Sequence, residues 1–172
     1  VYIPGNSSAT SRDVLVETMP IKGTAARHAE PQRDAAAAKA LLESAKDRAE
    51  LAMIVDLMRN DLNRVAHRGS VAVNDPMRLD THANVHHLSA CISASVPGAL
   101  SVGELLAAVC PGGSITGAPK REVMKAITAS EGRERGYFMG SLWYLDDGGA
   151  IDSSILIRTL VRRGEQPYEF AA

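Results

Sequence analysis

The strongest constraint on the fold is one run of helix-forming residues, about 33–65. It is rich in Ala, Leu, Glu, Lys and Arg, which lose little side-chain freedom in a helix. Leu41, Leu42, Ala45, Ala49, Met53 and Leu57 recur near helical spacing. Residues 51–58 are apolar except at Asp56, which predicts a helix buried on most sides. Gly69 ends the run. An apolar helix must be covered by another layer, and the remaining sequence supplies mainly short strands.

Residues 14–16 form a strand candidate that leads into Pro20-Ile21-Lys22-Gly23-Thr24. Residues 25–34 are polar, contain Pro31 and read as a mobile loop. Strand candidates at 71–73 and 77–79 flank an Asn74-Asp75-Pro76 turn. Residues 84–96 read as one strand carrying His86 and His87, whose rings then point to opposite faces. Ser101 and Glu104 form a capping box that starts a helix to Val109. A glycine-rich loop at 111–117 precedes a helix from Pro119 to about Ala129, with Gly132 just past its end. Residues 137–145 and 150–161 pair around the turn at 146–149, and a last strand follows 162–165. Helices mixed with antiparallel hairpins define the α+β class.

At 172 residues the chain can bury one domain core. A net charge of -1 supplies no global field for nucleic acid or an anionic membrane, and 4% aromatics supply no base-stacking platform. Cys91 and Cys110 lack metal or disulfide spacing, so a reduced pair in a cytoplasmic protein is expected. Apolar runs are too short to span a bilayer, and no signal peptide opens the chain. The chain starts at Val1 and stops in a strand at Ala172, so residues 1–172 are expected to be one domain truncated at both ends.

Several side chains have both a structural and a chemical reading. Lys22, between Ile21 and Gly23, is either a solvated strand-end lysine or an enclosed amine nucleophile. Glu50 either pairs with Lys46 on a surface or enters the interior as a carboxylate that needs a partner or Mg²⁺. Asp56 and Asp61 share that ambiguity. One of His86 and His87 can face a site as acid or base; a satisfied core histidine is the commoner outcome. The glycines at 112–117, with Ser114, make either a tight turn or an anion cradle, but match no P-loop. Arg158, among apolar strand residues, needs a partner such as a carboxylate, and Tyr144 on the neighbouring strand could donate to the same anion. Together these fit a small dianionic substrate without identifying the reaction.

The motifs taken in order are more specific. Pro20-Ile21-Lys22-Gly23-Thr24, Ala45-Lys46-Asp47-Arg48-Ala49-Glu50, Ile54-Val55-Asp56-Leu57-Met58-Arg59-Asn60-Asp61-Leu62, Val85-His86-His87-Leu88, Pro111 to Lys120 and Ile157-Arg158-Thr159 resemble the chorismate-utilising enzymes. The resemblance covers about residues 14–172. It implies a two-sheet antiparallel β sandwich with flanking helices, of which this chain would be part. Lysine at position 22 resembles the branch that makes aminodeoxychorismate for para-aminobenzoate and folate synthesis; the anthranilate-forming branch typically has alanine there.

The resemblance assigns roles to matching positions. Lys22 would add to C2 of chorismate as the 4-hydroxyl leaves. Ammonia from a glutamine amidotransferase subunit or domain would then displace it by bonding at C4. Glu50 would hold Mg²⁺, and His87 would lie near the reacting ring. Ser114, Tyr144 and Arg158 would contact substrate. The chain also departs from the pattern. A Ser-Pro-Glu segment, whose glutamate is the family's proposed acid, would fall at Asn6 and is absent. The family's later acidic helix is not reached, so the 172-residue chain alone is expected to be inactive. Anthranilate synthesis and a non-catalytic remnant of the fold are the alternative readings.

Overall fold

A computed structural model describes residues 2–3, 13–162 and 164–171. In chain order the elements are β1 (Tyr2–Ile3), β2 (Val14–Thr18), β3 (Ile21–Ala26), α1 (Pro31–Glu43), α2 (Ala45–Asn63), β4 (Ala72–Thr81), β5 (Val85–Val96), α3 (Val102–Val109), α4 (Gly113–Thr116), α5 (Lys120–Glu131), β6 (Ser141–Leu145), β7 (Ile151–Ile155), β8 (Thr159–Val161) and β9 (Glu169–Ala171). Seven strands form one antiparallel sheet, and β8 pairs with β9 in a second. The α+β expectation holds, with the second sheet reduced here to two strands.

β5 is the axis of the large sheet. One of its edges pairs with β4. Its other edge pairs with β3 over its first half and with β2 over its second. Alternation along β5 sends Leu88, Ala90, Ile92, Ala94 and Val96 into the core, where Leu51 and Val55 of α2 meet them. Leu51 and Leu88 are fully buried, so truncating either to alanine costs about 2–5 kcal/mol.

The single helix expected over 33–65 is two helices. Ser44 has extended geometry (φ -62°, ψ 107°) and ends α1 while capping α2, its Oγ accepting the Asp47 amide at 3.3 Å. That cap satisfies an otherwise unpaired first-turn N–H, which offsets the break. α2 is also less enclosed than expected, since Met53 is exposed and only one face meets the sheet.

Residues 25–34 are not a free loop. β3 continues to Ala26, and the Arg27 Nε donates to both Asp34 oxygens at 2.9 and 3.0 Å. The His28 amide and the buried His86 Nε2 also reach Asp34, at 2.9 and 3.1 Å. β4 runs unbroken through Asn74-Asp75-Pro76, absorbing the proline as register shifts. The Ser101–Glu104 capping box, α5 and the left-handed Gly132 cap match the sequence reading. The strand expected from residue 137 starts only at Ser141, because residues 135–140 fold into turns with Met139 at φ 61°.

Candidate active site

One stripe of α2 organises the site. Asp47, Glu50, Leu57 and Asp61 are spaced i, i+3, i+10 and i+14, which places them on one helix face. Each meets, or lies beside, a segment that the sequence singled out.

At the first turn, β3 presses against α2. A Cβ on Gly23 would lie 3.0 Å from Cβ and Cγ of Asp47 and 3.0 Å from Cδ1 of Leu41. Gly23 has φ +79°, a conformation that side chains strain, and it is the extra residue of a β-bulge. Lys22 pairs with Leu88, and Thr24 pairs with His87. Without the extra residue Lys22 and Thr24 would share a face. With it, the register assigns Lys22 to the Leu88 face that α2 covers and Thr24 to the other. The glycine therefore aims the lysine.

The bulge separates Lys22 from His87. The His87 Nδ1 lies 2.9 Å from Thr24 Oγ1, and its ring meets His82 edge-on at 5.5 Å. His86 takes the opposite face: it is buried, with Nδ1 3.0 Å from Thr81 Oγ1 and Nε2 on Asp34. The alternation expected for the two rings is present. Lys22 itself is partly buried rather than enclosed.

Glu50 stays at the surface. Its side chain is 42% exposed and its carboxylate lies 3.9 Å from Lys46 Nζ, so the expected entry into the interior does not occur. Asp56, 79% exposed beside Arg59, is no buried acceptor either. Among the described residues, no three His, Cys, Asp or Glu side chains group to hold a metal. Glu50 can offer one carboxylate, which fits Mg²⁺ only where water and an anionic substrate complete the octahedron.

Two turns along α2, the glycine-rich segment docks. A Cβ on Gly113 would lie 3.0 Å from Leu57 Cβ, so only glycine allows α4 this approach. Ser114, the next residue, is partly buried. Asp61, one turn beyond Leu57, is buried and lies 2.7 Å from Lys120 Nζ, an ion pair the sequence reading missed because its halves are distant in the chain. A cavity of about 80 Å³ beside them is lined by Thr18, Asp61, Gly112, Ser141 and Ser153 among others. It is small and contains none of the other expected site residues.

The hairpin β6–β7 carries Tyr144, and Arg158 follows its second strand. Tyr144 pairs with Asp152, whereas Arg158 lies six residues further on, past the end of β7 at Ile155. Arg158 is exposed with φ 51°, not held among apolar strand residues. The tyrosine at its end of the hairpin is Tyr137, whose turn is tied to Leu156 by the Met139 N–H to Leu156 O bond at 3.1 Å. The position searched for by the sequence reading, Asn6, lies outside the described residues.

The chain belongs to the chorismate binding enzyme family, whose sequence profile matches residues 9–172. It is 50% identical over 145 residues to aminodeoxychorismate synthase component 1 of Escherichia coli (strain K12), covering 84% of this chain and 32% of that protein. It is 49% identical to the protein of that name from Klebsiella aerogenes, with coverage of 84% and 32%. Among solved structures, anthranilate synthase component I from Streptococcus pneumoniae TIGR4 superposes with a TM-score of 0.71 at 34% identity, covering 92% of this chain and 35% of that one. The chain thus spans about a third of the length of the curated relatives it matches. No helix among the described residues is long and apolar enough to cross a membrane.

Proposed function

We propose that this chain is the lysine-bearing part of an aminodeoxychorismate synthase component I, which converts chorismate and ammonia to 4-amino-4-deoxychorismate for para-aminobenzoate and folate synthesis. The observation that carries the reading is the Gly23 bulge, which assigns Lys22 to the α2 face where Glu50 follows Asp47 by one turn. The names of the relatives near 50% identity support it.

The Lys22 Nζ lone pair bonds to C2 of chorismate, both conjugated ring double bonds shift, and the 4-hydroxyl leaves as water with the proton that the amine gives up. Ammonia then bonds at C4, both double bonds shift back and the C2–N bond breaks, returning the lysine with the proton that ammonia gives up. Glu50 would hold Mg²⁺, which when bound neutralises a substrate carboxylate and eases departure of the hydroxyl. Ser114, Tyr144 and Arg158 are assigned to substrate anions. His87 acts at one remove, fixing Thr24 after the bulge. A glutamine amidotransferase subunit or domain supplies the ammonia, consistent with the "component 1" of the relatives' names. Free Cys91 and Cys110 suit a reducing, cytoplasmic setting.

Chorismate and ammonia supplied to the full-length protein test the reading. Aminodeoxychorismate gives para-aminobenzoate only after a lyase is added. Direct appearance of fluorescent anthranilate would assign the protein to the other branch.

A further inference from the structure

Asp61 and Lys120 both sit at the wrong ends of their helices. Asp61 lies in the last turn of α2, where the helix dipole disfavours an anion. Lys120 is the first residue of α5, where it disfavours a cation. Both are largely buried, at 9% and 18% side-chain exposure. Local helix electrostatics thus favour neither residue, and what their placement satisfies is the contact with each other. The Lys120 Nζ is shielded from solvent and its 2.7 Å approach to Asp61 Oδ1 is off the direction of a hydrogen bond, so charge attraction holds it.

The pair closes a clamp. Leu57 and Asp61 are one turn apart on α2. Gly113 packs on Leu57, and Lys120 pairs with Asp61. The segment carrying Ser114 is therefore fixed at both ends to one helix face. We propose that Asp61 and Lys120 are positioning residues that hold the 112–119 segment in its substrate-contacting form. The part about substrate rests on the function proposed above; the clamp does not.

The test uses the full-length protein with two variants. D61N/K120M removes both charges and so leaves no orphan ion; K120R keeps the pair. Hydrogen exchange should show amides at 112–118 exchanging on the order of tenfold faster in D61N/K120M, while β5 amides keep their protection. K120R should restore most of the difference. The chorismate KM should rise about tenfold with kcat changed less than about threefold. Exchange at 112–118 equal to wild type, an equal loss of protection in β5, or a double variant that does not fold would overturn the clamp. A fall in kcat with KM unchanged would overturn the positioning role. A wild-type protein inert to chorismate would defeat the functional reading alone, and the exchange comparison would still decide the clamp.

Discussion

Gly23 and Asp47 approach so closely that a Cβ on the glycine would lie 3.0 Å from the aspartate Cβ and Cγ. The contact joins the β3 bulge to the capped start of α2, where the Ser44 hydroxyl also donates to Asp47. Gly23→Ala should cost about 2–4 kcal/mol, from the left-handed backbone and the overpacking together. Denaturant unfolding measures it. A cost near zero would mean that the bulge is not held against α2.

Gly113→Ala should cost about 1–3 kcal/mol, because its new methyl meets Leu57. Leu57→Ala in the same chain removes the Cδ1 and Cγ contacts at 3.4 and 3.6 Å but keeps the Cβ at 3.0 Å, so it relieves the crowding in part. The two substitutions should therefore cost less together than their sum, which a double-mutant cycle reads directly.

Asp34 gives the fold an acid limit. The Arg27 guanidinium, followed by the His28 amide, holds its carboxyl well below its ordinary 3.8. Asp80, beside Arg78, and Glu104, beside Ser101, are lowered in the same direction. A folded value below the unfolded one contributes stability above the unfolded value, and that contribution is lost as pH falls toward the folded value. Melting temperature should therefore drop below about pH 4, and Asp34→Asn should lower the neutral plateau while flattening the acid limb. Parallel acid limbs for the two proteins would remove Asp34 from this role.

Glu50→Gln tests the metal assignment separately from folding. With its side chain 42% exposed, the change should move stability by no more than about 0.5 kcal/mol. The Mg²⁺ concentration for half-maximal turnover in the full-length protein should rise at least about tenfold. An unchanged Mg²⁺ response would return Glu50 to a plain surface pair with Lys46.

What the sequence made legible was local. The β5 strand, the Ser101–Glu104 box and the α5 cap depend on residues within a few positions of each other, and all appear as read. The break at Ser44 did not show, because serine is tolerated inside a helix and only the Asp47 cap marks it as an end. The separation of Lys22 from His87 depends on one bulged residue, whose effect on alternation appears only once the register is known. Arg158 read as buried because its neighbours are apolar, yet the strand stops three residues earlier. The Asp61–Lys120 pair joins helices far apart in the chain, and no local pattern announces it.

The most direct test is Lys22→Ala in the full-length protein, assayed for aminodeoxychorismate with chorismate, ammonia and Mg²⁺. Lys22 is only partly buried, so melting should shift little. Turnover should fall by at least about a hundredfold if the amine is the nucleophile. Turnover equal to wild type, in a protein that melts normally, would contradict the central claim and leave Lys22 as a strand lysine beside a structural bulge.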